Sequence, residues 1–328
     1  MSLPEPILVV GGYGYRNLGD EAILAGLLRM LGPDRSVTVV SRSPAETTAL
    51  HGVPSVPIGG AVAALARHRT LLIGGGGLFG RDMGLIGRFL PAFAALAAAG
   101  GRTIAIHGVG IDPGLPTLTR HLLALTASRA MELSVRDRAS QARLGVEPQR
   151  VTVRPDLSAL VVAARPAQGR AVLRSVGLDP SHPIVGLALT ALNPALVPPL
   201  MDNVIQAMDR LPAVQFCFIP MSQHPYRAVH NDLLLGRRLR ELRPRLAVIE
   251  ALQDPSLALA VFGSLDAAVC MRYHSLLFAE RAGTPMLPIP YAPKCDSWLA
   301  EHDVEPIEAG TDELVRRLQA ALAGKMAA

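Results

Sequence analysis

The stretch GGYGYRNLGDEAIL at residues 11–24 directly follows the apolar run PILVV at residues 6–10. A buried strand that passes through a glycine-rich turn into a helix opens a Rossmann-like domain, in which the turn often binds a pyrophosphate. In this chain, Asn17 stands where the third glycine of that motif belongs, and Asp20 and Glu21 would repel a phosphate at the helix start. The stretch therefore indicates the fold class without indicating a nucleotide.

The polar residues of this turn have two interpretations. Asn17 can cap the helix, with Asp20 three residues later completing a pair that resembles a capping box. Both Asp20 and Glu21 would then favour the positive end of the helix dipole. Alternatively, the turn accepts a ligand that is not a phosphate, and the residues alone leave both interpretations open.

Composition restricts the fold class and the kind of partner. The chain has 328 residues, of which 50% are hydrophobic, so it can bury two cores of ordinary size. Its net charge of +5 comes almost wholly from scattered arginines, and we therefore expect no nucleic-acid partner. The densest basic stretch, residues 236–245, has leucines at helical spacing, and we interpret it as a solvated helix face rather than an anionic-lipid site.

Several features bear on the cellular compartment. The three cysteines show no metal-binding or redox spacing, and the start MSLPEP lacks the basic region of a signal peptide. The most apolar stretch, FLPAFAALAAAGG at residues 89–101, is too short to span a bilayer. The sequence thus predicts a cytoplasmic protein that can still touch the inner face of a membrane.

Short apolar runs alternate with segments of helical periodicity along the whole chain, which is typical of doubly wound parallel sheets. We expect an α/β protein with two Rossmann-like domains facing a cleft, at residues 1–165 and 166–310, and a closing helix and tail at 311–328. The predicted strands are 6–10, 36–40, 70–73, 102–107, 132–135 and 150–153, followed by 184–189, 214–219, 246–249, 266–270 and 286–289.

Three candidate sites follow predicted strands of the first domain, where ligands of such sheets bind. Four consecutive glycines, Gly74–Gly77, favour a ligand cradle over a purely structural turn, because they cost backbone entropy. His107 ends the next strand and is either a hydrogen-bonded wall residue or a catalyst. Asp137 is expected to cap a helix, with Ser140 in its first turn, while Arg136 can face the cleft.

The densest group of candidates lies in CMRYHSLLFAERAGTPMLPIPYAPK at residues 270–294. Arg272 and His274 flank a predicted helix start, where backbone donors favour an anion. Arginine binds carboxylate or phosphate bidentately, and histidine can move a proton near neutral pH. Lys294, one of only two lysines, follows the next strand. No group of residues shows metal-ligand spacing, so we expect no metal.

Four motifs together resemble the polysaccharide pyruvyl transferase family, over roughly residues 7–300. They are GYGYRNLGDEAIL, GGGGLF, VRDRAS and RYHSLLFAERAGTPMLPIPYAPK, in that order along the chain. The resemblance implies a fold like that of B-type glycosyltransferases. It also implies transfer of the enolpyruvyl unit of phosphoenolpyruvate, as a cyclic ketal, onto a lipid-linked or polymeric sugar of a cell-wall polysaccharide or exopolysaccharide. Phosphoenolpyruvate would be the donor substrate, with no cofactor.

The resemblance also suggests roles for the candidate residues. The carboxylate and phosphate of phosphoenolpyruvate would be bound by cationic side chains and by the helix N-terminus. A histidine would protonate C3 of the donor or take protons from the sugar hydroxyls. Amides and carboxylates suit sugar hydroxyls. The resulting assignments are Arg272, Lys294, Ser275 and Arg136 for the donor, His274 with Arg272 and its rival His107 for catalysis, and Asn17, Asp20, Glu21, Gly75 and Gly76 for the acceptor.

The chain departs from the family pattern at three places, one of which is the stretch GVGIDP at residues 108–113, slightly different from the usual glycine-proline turn. Thr190 stands after the first strand of the second domain, where many relatives have an arginine, and Ala292 stands where aspartate is common. Two alternatives therefore remain, a nucleotide-sugar glycosyltransferase of the same fold and a non-catalytic sugar-binding relative. The first would need an acidic ribose-binding residue in the second domain, and none stands at a telling position.

Overall fold

The computed structural model describes residues 3–80, 84–308 and 310–326. They form two compact units, the first made of residues 3–15 with Asp20–Val161 and the second of Arg16–Gly19 with the described residues from Val162 onward. This division differs from the expected one because residues 16–19 belong to the second unit. The helix expected to close the chain also belongs to the second unit, and residues 327 and 328 of the expected tail lie outside the described residues.

The first unit contains a parallel sheet of seven strands in the order β3-β2-β1-β4-β5-β6-β7. The order reverses between β1 and β4, so the carboxyl ends of these two neighbours form the switch point at which such sheets bind ligands. The strands are β1 (Ile7–Val10), β2 (Val37–Ser41), β3 (Ser55–Pro57), β4 (Thr70–Phe79), β5 (Thr103–Ile111), β6 (Glu132–Val135) and β7 (Thr152–Val153).

Helices cover both faces of this sheet. They are α1 (Leu18–Leu31), α2 (Pro44–His51), α3 (Ala61–Ala66), α4 (Gly84–Ala99), α5 (Thr117–Ser128) and α6 (Arg138–Arg143). Ile23, Leu24 and Leu27 of α1 pack into a core on one face. Buried residues of α3, α4 and α5 pack into a separate core on the other face. The helical spacing of these apolar residues explains why each helix buries a single stripe.

The second unit contains five parallel strands in the order β10-β9-β8-β11-β12. Its order reverses between β8 and β11, which places the residues after β11 at a second switch point. The strands are β8 (Ile184–Ala188), β9 (Gln215–Phe218), β10 (Ala247–Val248), β11 (Ala267–Cys270) and β12 (Met286–Pro288). The helices are α7 (Pro166–Ser175), α8 (Val197–Arg210), α9 (Asp232–Leu242), α10 (Pro255–Phe262), α11 (Tyr273–Ala282), α12 (Pro293–Glu301) and α13 (Thr311–Met326).

Two strands of the first unit are longer than the sequence predicts. The apolar run ends at Ile73, yet β4 continues through the glycines to Phe79, and β5 continues beyond His107 to Ile111. Gly74 pairs with His107, so both positions lie inside the sheet rather than after it. Gly75 and Gly76 have φ of 34° and 81°, in the left-handed region that favours glycine.

The three cysteines, Cys217, Cys270 and Cys295, are all buried free thiols. Burial raises the pKa of Cys217 and of Cys270 to about 12, and it also raises the pKa of Cys295. Because the thiolate is the reactive form, these cysteines are chemically quiet. Every helix within the described ranges is too short or too polar to cross a bilayer.

Candidate functional site

The start of α11 holds the central residues of the second unit. Arg272 is the N-cap residue with an extended backbone, φ −70° and ψ 142°, and His274 lies in the first turn. The Ser275 hydroxyl donates to the Arg272 carbonyl at 2.6 Å, and the Ser275 N–H donates to the same oxygen at 2.9 Å. Ser275 is fully buried, and its hydroxyl already has a partner within the helix start. We therefore interpret Ser275 as a structural residue of this helix start rather than as a ligand contact.

The guanidinium of Arg272 is fixed by a buried carboxylate. Its Nε donates to Asp232 Oδ2 at 2.6 Å and its Nη2 to Oδ1 at 2.8 Å, in a bidentate pair. Asp232 is fully buried at the first position of α9 and also accepts the Ser222 N–H at 3.0 Å. Burial raises the pKa of Asp232, while Arg272 opposes that rise. One edge of the guanidinium is therefore committed to the protein.

Thr190 takes part in the same arrangement. It is buried directly after β8, and its hydroxyl hydrogen-bonds the Asp232 carboxylate, which favours the charged form of that carboxylate. Thr190 thus supports Arg272 indirectly, through Asp232. Sequence reasoning missed Asp232, since an acid at a helix start is ordinarily a dipole partner.

The loop between β9 and α9 places a further histidine in this region. His224 Nδ1 accepts the N–H groups of Tyr226 at 3.1 Å and Arg227 at 3.2 Å. With Nδ1 as acceptor, the neutral imidazole carries its proton on Nε2. Partial burial lowers the pKa of His224, and the charges of Arg227 and Arg272 lower it further. His224 was also missed, since no motif surrounds it.

The segment Arg16–Gly19 is built into the second unit by backbone hydrogen bonds. Asn17 and Ser222 form an isolated antiparallel bridge. On either side of it, the Leu18 N–H donates to the Met221 carbonyl and the Gln223 N–H donates to the Arg16 carbonyl, both at 2.9 Å. The Asn17 side chain accepts the Gly19 N–H at 3.1 Å, as a capping residue does. The expectation that Asn17 belongs to the first domain is therefore wrong.

Gly19 leaves room for the imidazole of His274. A Cβ atom at this glycine would lie 2.0 Å from His274 Nδ1 and 2.4 Å from Cγ, far inside van der Waals contact. The Tyr273 ring lies against the same imidazole, with centroids 5.3 Å apart in an edge-to-face arrangement. His274 is thus enclosed by two neighbours that set the position of its ring.

Lys294 lies in the first turn of α12, after β12, the strand that neighbours β11. The Cys295 thiol lies 3.5 Å from the Met271 carbonyl, so the start of α12 is attached next to Arg272. Lys294 is half-buried, and its Nζ lies 5.4 Å from the centroid of the Tyr291 ring. The second unit therefore places Arg272, His274 and Lys294 after the ends of two adjacent strands, β11 and β12.

Asp20 lies at the switch point of the first unit. A Cβ atom at Gly12 or at Gly76 would lie 3.3 Å from its carboxylate group, so both glycines allow the close approach. Asp20 is half-buried, and its charge is one of those that raise the pKa of Tyr13, after burial itself. Asp156, which sequence reasoning missed, contributes to the same effect. The Asp20 carboxylate therefore lies beside Gly76 of β4, and the charges of Asp20 and Asp156 both act on Tyr13.

Glu21 has a structural role, which corrects its assignment to the acceptor. It is buried, its Oε1 accepts the Gly14 N–H at 2.9 Å, and its Oε2 lies 2.8 Å from His51 Nε2. Both oxygens are thus engaged in holding the glycine turn to α2. Gly14 has φ of 79°, so the turn needs glycine there as well.

His107 is enclosed in the middle of β5, which corrects its expected place at a strand end. Its Nδ1 lies 3.2 Å from Ser134 Oγ and its Nε2 lies 3.2 Å from Glu132 Oε2. Burial lowers its pKa most, against the opposing charge of Glu132. These contacts favour the wall-residue interpretation over the catalytic one.

Arg136 follows β6 in the first unit, so the predicted donor residues are divided between the units. Its guanidinium lies on the backbone of Gly110, where a Cβ atom would come within 2.4 Å of Cζ. Its Nε lies 3.2 Å from Asp137 Oδ2. The predicted cap is confirmed, because Asp137 accepts the Ser140 N–H at 2.6 Å.

The family model for polysaccharide pyruvyl transferase matches residues 17–293, and the chain belongs to that family. This match includes both the Asn17 to Asp20 turn and the RYH motif. No curated protein matches the chain. In the described part of the chain, no three His, Cys, Asp or Glu side chains cluster as a metal site would require.

Solved structures of nucleotide-sugar enzymes share the fold. UDP-GlcNAc 2-epimerase from Neisseria meningitidis has a TM-score of 0.64 at 12% identity, covering 97% of this chain and 91% of that one. Anabaena Alr3699/HepE has a TM-score of 0.65 at 15% identity, covering 98% of this chain and 91% of that one. ADP-heptose LPS heptosyltransferase II from E. coli has a TM-score of 0.55 at 13% identity, covering 98% of this chain and 100% of that one. These likenesses confirm the predicted glycosyltransferase-B-like α/β fold with two Rossmann-like domains.

Proposed function

We propose that this chain is a ketal pyruvyltransferase that moves the enolpyruvyl unit of phosphoenolpyruvate onto a sugar of a cell-surface polysaccharide precursor. The family match supports pyruvyl transfer in general. The observation that supports the donor most strongly is the start of α11, where Arg272 and His274 flank a helix N-terminus. Such a terminus favours an anion, and Arg272 adds a fixed positive charge.

Phosphoenolpyruvate has a carboxylate and a phosphate, and it therefore needs more than one cation. Arg272 supplies a guanidinium whose orientation Asp232 fixes. Lys294 supplies a compact ammonium from the first turn of α12. Because Ser275 is accounted for by the helix start, the donor set that we propose within the second unit is Arg272 and Lys294.

The reaction needs one proton delivered to carbon and two hydroxyl protons removed. C3 of the enol takes a proton and becomes a methyl group, while C2 forms bonds to two sugar oxygens. The C2–O bond to phosphate breaks, and phosphate leaves with the bridging oxygen and the second hydroxyl proton. In our proposal His274 delivers the proton to C3, since its imidazole is positioned in the first turn of the anion-binding helix.

The acceptor sugar is assigned to Asp20, Gly75 and Gly76 at the switch point of the first unit. A half-buried carboxylate beside glycine backbone can accept hydrogen bonds from sugar hydroxyls. In this proposal the acceptor is lipid-linked or polymeric, the enzyme works in the cytoplasm at the inner membrane face, and no metal or cofactor takes part.

The proposal is tested by incubating the protein with phosphoenolpyruvate and a panel of lipid-linked and aryl sugars. We expect phosphate release that depends on the acceptor, together with a product that has gained a pyruvyl ketal by mass spectrometry. Arg272→Ala should abolish both signals, while the exposed Arg238→Ala should change neither. Calorimetry in the presence of chelator should show phosphoenolpyruvate binding. Tight binding of UDP or GDP with no binding of phosphoenolpyruvate would instead identify a nucleotide-sugar enzyme.

A further inference from the structure

Two neighbouring helices of the first unit expose large apolar side chains. Phe89 and Leu96 of α4 are 64% and 62% exposed, and Leu118 and Leu125 of α5 are 73% and 44% exposed. We call these four residues the α4–α5 face. Each pair is seven residues apart, which is two helical turns, so both members of a pair lie on one side of their helix.

The four side chains belong to one surface. Both helices contribute buried residues to the same core on one side of the sheet, Leu90 and Ala94 from α4 and Leu123 from α5. The helices also pack against each other. The stripes opposite to their buried stripes therefore adjoin and point away from the sheet, and together they expose four large apolar side chains.

The two helices of the α4–α5 face carry basic residues and no acidic ones. Residues 84–131 contain four arginines and a single acid, Asp112, which lies outside both helices. Arg120 and Arg129 are exposed, and neither makes an ion pair with any other described residue. An apolar stripe with basic residues and no acids is typical of surfaces that lie on anionic membranes.

A second copy of the chain fits this surface less well. In a symmetric dimer the same patch faces itself, so arginine would stand opposite arginine with no acid on either helix to compensate. The basic stretch of α9 differs in the same respect, since Arg237 and Arg240 both pair with Glu250 and Arg238 pairs with Glu241. That stretch is internally neutralised and has no comparable need for an anionic partner.

We propose that the α4–α5 face docks on the surface of an anionic bilayer, with Phe89, Leu96, Leu118 and Leu125 inserted among the lipids and the arginines at the headgroups. The inference goes beyond the transfer reaction, because it depends only on exposed side chains and their charges. It would bring the enzyme to any acceptor that is anchored in a membrane.

Vesicle co-sedimentation without donor or acceptor tests the docking separately from the reaction. We expect the protein to bind vesicles of phosphatidylcholine mixed with phosphatidylglycerol, to bind pure phosphatidylcholine weakly, and to be released by salt. Leu118→Ser combined with Leu125→Ser should lower partitioning by at least about tenfold. Arg129→Gln should lower it by about fivefold.

Matched control variants decide whether the effect is specific. Leu234 on α9 is 46% exposed, close to the 44% of Leu125, so Leu234→Ser makes the same change at equal exposure. Leu234→Ser should bind vesicles as the wild type does, as should Arg238→Gln, and circular dichroism should show all variants folded. Equal losses in the single variants Leu125→Ser and Leu234→Ser, no vesicle binding by the wild type, or a dimer that Leu125→Ser dissociates would each overturn the proposal.

Discussion

Arg272 and Asp232 form a bidentate ion pair in the second unit, with Nε–Oδ2 and Nη2–Oδ1 distances of 2.6 and 2.8 Å, and both residues are buried. The pair joins the residue before α11 to the first residue of α9. A proposed anion-binding arginine is therefore already neutralised on one side. Its value to the site lies in its fixed orientation as much as in its charge.

We predict that Asp232→Asn destabilises the protein and weakens donor binding together. Removing one partner of a buried ion pair leaves an uncompensated charge and costs about 3 to 5 kcal/mol. Chemical denaturation measures the first effect, and calorimetry with phosphoenolpyruvate measures the second. The exposed Asp312→Asn, which breaks the ion pair with Arg210, is the control and should change stability by less than about 1 kcal/mol. Unchanged donor affinity in a folded Asp232→Asn protein would contradict the positioning role.

We predict that Gly19→Ala lowers kcat without unfolding the protein. Alanine is the better helix former at this position in α1, so helix propensity alone would favour the variant. The new Cβ would instead displace the His274 imidazole, because a Cβ atom built at Gly19 would lie only 2.0 Å from His274 Nδ1. Gly263→Ala is the matched control, because its Cβ would meet only ordinary contacts of 3.6 Å and beyond. Equal kcat in both variants would argue against His274 as the proton donor.

We predict that His274→Ala lowers kcat by roughly 10²- to 10⁴-fold with little change in donor affinity, as expected for a lost acid-base group. Arg272→Ala should weaken donor binding itself, and Arg272→Lys should rescue it poorly, since an ammonium cannot form the same bidentate pair. His107→Ala is measured beside them, and we expect it to affect stability more than turnover. Collapse of turnover only in His107→Ala would transfer the catalytic role to the first unit.

We predict opposite consequences at two adjacent acids. Asp20→Asn should raise the acceptor KM or lower kcat while leaving phosphoenolpyruvate affinity and stability nearly unchanged. Glu21→Ala should lower the free energy of unfolding by about 1 to 3 kcal/mol, because the Gly14 N–H and the His51 ring lose their buried partner. Steady-state kinetics and urea denaturation of both variants separate the two roles. An Asp20→Asn variant that is merely less stable, with normal kinetics, would favour the capping interpretation.

We predict a pH effect on stability that originates at His107. Burial lowers the pKa of His107 from the usual 6.5, so the unfolded chain binds its proton more tightly than the folded protein does. Above about pH 6.5 the histidine is neutral in both states and costs the folded protein nothing. As pH falls below about 6.5 toward the lowered pKa, the unfolded chain takes up the proton first, and the free energy of unfolding decreases. Denaturation between about pH 8 and pH 5 should therefore be less pH-dependent in His107→Gln than in the wild type. An unchanged pH dependence in His107→Gln would contradict this origin.

The positions of the strands along the chain follow from local signals that a sequence displays, whereas their order in the sheets does not. Alternating apolar and helical segments predicted eleven of the twelve strands found among the described residues, and the exception, β3, is three residues long and ends in proline. The lengths of β4 and β5 were underestimated because glycines lack the apolar side chains by which a strand is recognised. The backbone pairing that extends them comes from the neighbouring strand.

Residues of the candidate site were predictable where a motif gathers them and not where the fold does. Arg272 and His274 stand two residues apart at a strand end, a local pattern. Asp232 lies 40 residues from Arg272, in a helix whose sequence gives no sign of its partner. Asn17 was placed with its sequence neighbours, whereas its backbone bonds lie with Ser222, more than two hundred residues away along the chain.

The burial of all three cysteines makes this chain convenient for site-specific labelling. Maleimide reagents need an accessible thiolate, and the high thiol pKa at Cys217 and Cys270 suppresses that form in the folded protein. A cysteine introduced by Ala92→Cys, between Phe89 and Leu96 on the exposed side of α4, would react alone. An environment-sensitive dye at that position would shift its emission on contact with lipid, without any native cysteine having been removed.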